Sequence, residues 1–450
     1  MTGELTAARV TGLLDRTGER SRLPEMVDGF RRLALGEGAV VLIALPNGVA
    51  LLDALFAALL TGHVPALLSP SAPGERVAAT AVALGAAAVV RRRVAGEEAY
   101  REVVPAAGVT LAAYRGRPPV RHRPGRMILM TSGTSGAGTG CLHDVPALLR
   151  NAARHAAAIG QTGRDTVLVS LPMYYSYALV AQVFGSLLTG SRLVIGAPPF
   201  TAPHYRETID RHRVTVSALT PLLVRALVAG SPHLPQSLRC LGIGGDALDP
   251  VLIRRLVEAN PGAEIYLTYG LTEAGPRVST LAAHDEPAHR YTSAGRPLDG
   301  VTLSLRPVPG GAGSELLVAS DTVCLDVVGT GAEARRGRLL APGTVATGDL
   351  AEIDAAGYLT VRGRISDFVL VRGEKVSLAT VRRAAESLPS VVRAVVAADA
   401  VDGLRLDLYL ADRHTLSPHD IHRSLGRTLL PAERPGRLVL HPAGQMSAHK

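Results

Sequence analysis

Residues 127–143 read Met-Ile-Leu-Met-Thr-Ser-Gly-Thr-Ser-Gly-Ala-Gly-Thr-Gly-Cys-Leu-His. The apolar run Met127–Met130 predicts a short buried strand. The chain then passes through Thr131, Ser132, Gly133, Thr134, Ser135 and Gly136. Glycines let a backbone fold tightly and take positive φ. Successive backbone N–H groups can then converge on an anion, with Ser and Thr hydroxyls as further donors. A hydroxyl- and glycine-rich turn straight after a buried strand is a phosphate-loop candidate; a plain surface loop is the alternative. No Gly-Lys-Ser/Thr follows, so the Walker pattern is absent.

Strands and helices alternate around this loop. Ala39–Leu45 is an apolar strand-like run, Asn47 can cap a helix over Gly48–Leu60, and Gly62 can end it. Val64–Ser69 reads as a second strand, Pro73 starts a helix through Leu84, and Ala86–Val90 is a third strand. The pattern recurs as a helix near Val145–Ile159, a strand at Thr166–Leu171, a helix at Leu179–Leu188 and a strand at Arg192–Ile195. Apolar strands alternating with helices imply parallel sheets covered on both faces, an α/β fold. From Val301 to Val371 the pattern turns to short alternating strands with Gly and Pro turns.

With 450 residues the chain can hold more than one domain and a large core. It is 47% hydrophobic and 19% charged, as a globular protein is. The best candidate for a membrane span, Val49–Leu60, is short of the roughly 20 residues needed and contains Asp53. The N-terminus has no basic region followed by an apolar one, so no signal peptide is expected and the location is read as cytoplasmic. Cys141, Cys240 and Cys324 are scattered, fit no metal spacing, and are read as reduced thiols. The net charge is +9, but the basic residues are dispersed and arginine far outnumbers the lysines, Lys375 and Lys450. Neither nucleic acid nor membrane is therefore an expected partner. An acidic partner suits the charge better.

Two later segments bear on the loop. Residues 269–275 read Tyr-Gly-Leu-Thr-Glu-Ala-Gly, and Thr347-Gly348-Asp349 is followed by Gly363-Arg364. Thr-Ser-Gly-Thr-Ser-Gly, Tyr-Gly-Leu-Thr-Glu, Thr-Gly-Asp and Gly-Arg, in that order, resemble the adenylate-forming superfamily of acyl-CoA synthetases, peptide-synthetase adenylation domains and luciferases. Pro46-Asn47, Gly244-Gly245-Asp246-Ala247-Leu248 and Gly295-Arg296-Pro297 also sit where that family has similar residues, so the resemblance covers almost the whole chain. It implies a large N-terminal AMP-binding domain of parallel-rich sheets with flanking helices and a small β-structure, residues 1–363. A small mobile α+β lid, residues 364–450, would follow, with its hinge at Ser366.

The implied reaction activates a carboxylic acid with ATP and Mg²⁺, releases pyrophosphate, and transfers the acyl group to CoA or phosphopantetheine. By resemblance Thr131–Gly136 would hold the β- and γ-phosphates, Thr272 would touch the α-phosphate, and Glu273 would hold Mg²⁺. Asp349 would accept from both ribose hydroxyls, Arg364 would reach the ribose or phosphates, and Gly245, Asp246, Tyr269 and Gly270 would surround the adenine. In isolation, Glu273 reads as a helix-capping residue and Thr-Gly-Asp as a turn. Lys450 would enter the site during adenylation, although a solvated tail is the competing reading of a last residue.

Three departures from the family matter. The loop ends Gly138-Thr139-Gly140 where relatives carry Pro-Lys-Gly, so a cation is missing. Tyr175 stands where an aromatic–His pair has its histidine. The chain ends Ala448-His449-Lys450 in place of Gly-Lys. Tyr175, Ser176 and Tyr177, with Gly244 and Gly270, would line the acid pocket. Ser176 occupies the position where amino-acid-activating relatives place an Asp, which implies a small aromatic or other non-α-amino acid. The alternatives are an amide-forming ligase, a diazotase activating nitrite, and a non-catalytic nucleotide-binding protein.

Overall fold

The computed structural model describes residues 5–94, 96–116, 119–131, 138–196, 200–308, 313–365, 368–371, 374–399, 403–411, 417–429 and 431–443. The strand Val40–Ala44 is buried along its whole length. Its side chains alternate between two cores, as the two-residue period of a strand requires. Val40, Leu42 and Ala44 face Val77 and Ala81 of the helix Gly74–Leu84, while Val41 and Ile43 face the opposite side. Val64–Leu67 and Ala88–Arg91 pair with it in parallel. The full eight-stranded order is Asp326–Gly329, Thr139–Asp144, Arg126–Met130, Val64–Leu67, Val40–Ala44, Ala88–Arg91, Val109–Tyr114, Tyr100–Ala106.

A second, seven-stranded sheet runs Arg296–Pro297, Ser279–Ala282, Glu264–Tyr269, Cys240–Gly244, Val216–Leu219, Thr166–Val169, Arg192–Ile195. Its last five strands are parallel. The helix Val49–Leu60 lies between the sheets. It is apolar on every side, and such a helix is stable only when buried all round. Leu51, Leu55 and Phe56 share one core with Val41 and Ile43 of the first sheet and Val167 and Val169 of the second. Its charged residue, Asp53, is 2% exposed and accepts from the Ser21 hydroxyl at 2.7 Å and the Arg22 N–H at 2.8 Å. Helices Ala202–His212, Pro221–Val228 and Pro250–Ala259 cover the outer face of the second sheet through Ile209, Val224 and Ile253.

An antiparallel five-stranded sheet follows, formed by Val301–Pro307, Ser314–Ser320, Leu339–Ala341, Thr344–Ile353 and Leu359–Arg364. Beyond it, the hairpin Phe368–Val371/Glu374–Ser377, helices Leu378–Glu386 and Pro418–Leu425, and a three-stranded sheet build a core of their own around Val376, Val381, Leu406 and Ile421. Arg225–Glu386 at 2.9 Å and Arg382–Asp246 at 3.3 Å tie this C-terminal part to the helices and loops of the second sheet. The chain has the expected α/β class. Among the described residues no helix is long and apolar enough to cross a membrane.

Two local expectations change. Asn47 does not cap the helix that follows. Its amide instead donates to the Leu171 carbonyl at 2.9 Å and accepts from the Met173 N–H at 2.9 Å, linking the first sheet to the segment before the tyrosine cluster. The helix expected from Leu179 starts at Tyr177 and is π-helical through Phe184, then α-helical over Gly185–Thr189. Its residues are all buried, so no amphipathic period marks its start.

Asn47→Ala leaves a carbonyl and an N–H without their partner and should cost about 1–3 kcal/mol in urea unfolding. Asn47→Asp keeps only the acceptor and should fall between. Unchanged unfolding midpoints in both variants would contradict this bridge.

Candidate functional site

The loops after the parallel strands of an α/β sheet are where ligands bind. Here Gly244-Gly245-Asp246 follows Cys240–Gly244, Tyr269-Gly270 ends Glu264–Tyr269, and Thr131 follows Arg126–Met130. Close packing fixes the glycines. A Cβ on Gly244 would stand 2.4 Å from the Thr268 hydroxyl, and one on Gly270 would stand 1.8 Å from the Pro276 carbonyl.

Asp349 is the best-built member of the site. It is 5% exposed and lies within the strand Thr344–Ile353, so the turn reading of Thr-Gly-Asp does not hold. Gly348 takes φ +75° and donates its N–H to Glu315 at 2.9 Å. The Tyr269 hydroxyl donates to one Asp349 oxygen at 2.5 Å. The Arg364 Nε lies 3.2 Å from the other oxygen. Arg364 is the last residue of its strand and stands directly opposite Asp349 in the ladder. Burial, and then the neighbouring carboxylate, push the Tyr269 phenol well above its ordinary value, so it stays a donor.

Thr272 and Glu273 open a short 3₁₀ turn after that strand. The Thr272 hydroxyl is 3.2 Å from the Ser176 hydroxyl, and its carbonyl is 2.9 Å from Nε2 of the buried His143. The Glu273 side chain is 9% exposed, and its carboxylate accepts from Arg335 at 3.0 Å. A carboxylate is a hard oxygen ligand of the kind Mg²⁺ takes, and in this structure Arg335 occupies it. That ion needs only one or two protein carboxylates besides phosphates and water.

The capping reading of Glu273 misses this, and the sequence reading misses Arg335. The signal for it was the missing loop lysine. Thr139, at that position, is 7% exposed, and its hydroxyl donates to the Thr330 carbonyl. Thr330 lies just before the helix Ala332–Arg336, which carries Arg335. The strand position that lost a lysine is thus tied to the segment that supplies an arginine. Thr131 closes the near end of the loop, donating from its hydroxyl to the Thr139 carbonyl at 3.2 Å.

On the acid side, Tyr174 and Tyr175 have ring centroids 4.6 Å apart. Burial, then Tyr174, push the Tyr175 phenol up to about 12. Tyr177 is buried, and the Arg277 guanidinium sits 4.1 Å from its ring centre. Gly245 takes φ +98°. Asp246 faces Arg382 of the C-terminal part and borders a cleft of about 410 Å³ lined by Thr220, Arg225, Arg382 and Arg393. Ser132, Gly133, Thr134, Ser135, Gly136, Ser366 and Lys450 lie outside the described residues. The cysteines are free and buried.

Residues 25–325 match the family described as AMP-binding enzyme. The 2-succinylbenzoate–CoA ligase of Bacillus subtilis (strain 168) is 27% identical over 276 residues, covering 60% of this chain and 55% of that protein. The same-named ligase of Bacillus pumilus (strain SAFR-032) is 28% identical over 256 residues, 55% of this chain and 51% of that protein. The chain thus spans about half the length of the curated relatives it matches. Among solved structures, the o-succinylbenzoate CoA synthetase MenE from Bacillus subtilis, in complex with the acyl-adenylate intermediate OSB-AMP, superposes with TM-score 0.78 at 22% identity. That match covers 99% of this chain and 92% of that one. The amide bond synthetase McbA from Marinactinospora thermotolerans gives TM-score 0.74 at 20% identity, covering 96% and 95%. These likenesses show the fold.

Burial holds His63 and His143 down to about 4 and His155 to about 3, against the ordinary 6.5. All three are neutral in the folded state, and the unfolded chain binds more protons below pH 6.5. Stability should therefore fall as pH drops from about 6.5 towards 4. His143→Gln, which removes one of these imidazoles, should flatten that slope in denaturant titrations. An unfolding free energy constant over this range would contradict the neutral buried imidazoles.

Proposed function

Because the chain belongs to the AMP-binding enzyme family, we propose that it activates a small carboxylic acid with ATP and passes the acyl group to a thiol. The carrying observation is the buried Asp349 carboxylate, held by Tyr269 and Arg364 beside the Thr272–Glu273 turn. A carboxylate offers two coplanar acceptors, which suits the vicinal hydroxyls of a ribose. Nucleotide binding replaces the Tyr269 contact with ribose hydroxyls while Arg364 keeps the charge balanced. The Tyr269 ring and Gly244–Asp246 then border the adenine.

The acid's carboxylate oxygen attacks the α-phosphorus, the bond to the bridging oxygen of pyrophosphate breaks, and an acyl-adenylate forms. Such chemistry asks a protein for positioning and charge stabilisation. Thr272, with its hydroxyl on Ser176, sits between nucleotide and acid; Thr131–Gly136 take the β- and γ-phosphates. Glu273 would hold Mg²⁺, which would neutralise phosphate charge. Arg335 supplies the cation that relatives carry as a loop lysine. A thiolate of CoA or phosphopantetheine then attacks the acyl carbon and AMP leaves.

The relatives' names supply a model for the acid, an aryl-containing carboxylate. Tyr175, Ser176 and Tyr177, with no acidic residue at Ser176, support an aromatic acid without an α-amino group. An amine acceptor is the competing reading, favoured by Thr139 and Tyr175 standing at altered family positions. A basic chain of net charge +9 also suits an acidic carrier protein as acceptor. We place the domain division at residues 1–363 and 364–450, with Ser366 as hinge and Lys450 reaching the α-phosphate during adenylation. The separate core around Val376 and Leu406 supports that division.

Pyrophosphate should appear from Mg-ATP only with a suitable acid, and hydroxylamine should trap the acyl group as a hydroxamate. Strongest trapping with α-amino acids would sink the reading of Ser176. In calorimetry, Asp349→Ala should weaken ATP binding by roughly 3–6 kcal/mol, two charge-assisted bonds of about 1.5–3 each. Normal ATP affinity in a folded Asp349→Ala protein would remove the ribose assignment.

A further inference from the structure

The strand Thr139–Asp144 leaves the candidate phosphate loop and is buried along nearly its whole length. Successive side chains of a strand point to opposite faces. Leu142 lies in the core with Ile128. Thr139, Cys141 and His143 share the other face, and each meets the surroundings of the Thr272–Glu273 turn. The Thr139 hydroxyl donates to the Thr330 carbonyl, just before the helix that carries Arg335. Cys141 packs with Cys324 and Ala332. His143, 1% exposed, reaches the turn itself, with its Nε2 2.9 Å from the Thr272 carbonyl. A carbonyl only accepts, so Nε2 carries the proton. Burial keeps the imidazole neutral, and this N–H is then the only one the ring has.

The turn spans Thr272–Ala274, and each of its carbonyls accepts a hydrogen bond from outside it. His143 donates to Thr272, the Cys324 N–H donates to Glu273 at 2.8 Å, and the Thr322 hydroxyl donates to Ala274 at 2.9 Å. The last two donors precede the strand Asp326–Gly329, which pairs antiparallel with Thr139–Asp144. The turn is therefore pinned to one brace, made of the strand that leaves the loop and its neighbour. His143 holds the end of the turn where the Thr272 hydroxyl faces that of Ser176 at 3.2 Å. A buried carbonyl deprived of its donor is unfavourable, so without His143 the turn shifts towards another donor.

We propose that His143 is a positioning residue for adenylation: it ties the strand leaving the phosphate loop to the Thr272 carbonyl and so fixes where the Thr272 hydroxyl meets the reacting α-phosphate. The inference rests on the adenylation reading above. His143 touches neither nucleotide nor acid and acts through Thr272. A misplacement of about 1 Å caused away from the reacting atoms costs about 100-fold in rate. Asp349, which takes the ribose in that reading, stands in the antiparallel sheet, so nucleotide affinity should be nearly independent of His143.

Steady-state kinetics of two variants test this. His143→Leu removes the donor, and His143→Gln carries an amide N–H that can reach the same carbonyl. With an acid that the parent protein turns over, His143→Leu should lower kcat for pyrophosphate release about 10- to 100-fold. KM for ATP and the calorimetric Kd for AMP should stay within about threefold of the parent's, since a loss confined to kcat marks an interaction expressed in the transition state. His143→Gln should recover most of the lost rate. Parental kcat in a folded His143→Leu protein would overturn the proposal. So would KM and Kd rising in step with the fall in kcat while His143→Gln does no better than His143→Leu, which marks a general loosening of the site. If His143→Leu does not fold, His143→Asn, whose amide is too short to reach Thr272, takes its place under the same criteria. A parent that releases no pyrophosphate with any acid of a broad panel sinks the adenylation reading and this inference with it. An active parent with an unaffected variant sinks this inference alone.

Discussion

The helix Val49–Leu60 has no polar face, so it must be covered on all sides. Two sheets cover it, and residues of both share a single apolar layer with it. The strand ends at Met130 in one sheet and at Gly244 and Tyr269 in the other are brought together by that layer. Asn47, just before the helix, strengthens the arrangement by bonding Leu171 and Met173 across the gap. The site is a consequence of this packing, since its residues come from both sheets and from the antiparallel sheet beyond.

Charge is arranged in matched pairs around the site. Asp349 has Arg364, Glu273 has Arg335, and Asp246 has Arg382. Each carboxylate is held by an arginine, and in the proposed reading that arginine stays close when the ligand arrives. Preorganised charges of this kind need little rearrangement as charge develops in a reaction.

Much of this was legible in the sequence. The apolar runs marked Val40–Ala44, Val64–Leu67, Ala88–Arg91 and Arg126–Met130 in the first sheet and Thr166–Val169 and Arg192–Ile195 in the second. The ordered motifs placed Thr131, Thr272, Glu273, Asp349 and Arg364 in one expected site, and the structure pairs Asp349 with Arg364 and sets the Thr272 hydroxyl beside that of Ser176. Three features were not legible. Asn47 looked like a cap because a cap and a long-range bridge share one residue type. The helix expected at Leu179–Leu188 starts earlier, at Tyr177, and its π form was not legible because all its side chains are buried. Arg335 gains its place from Glu273, 62 positions earlier in the chain, which no local spacing can reveal.

Attack of a carboxylate on the α-phosphorus leaves a chemical mark. With an acid labelled by ¹⁸O in its carboxylate and hydroxylamine as acceptor, the acyl C–O bond breaks and the bridging oxygen stays with phosphorus. The account predicts AMP carrying one ¹⁸O by mass spectrometry, with unlabelled pyrophosphate. Unlabelled AMP, or ADP with labelled inorganic phosphate, would contradict adenylation at this site.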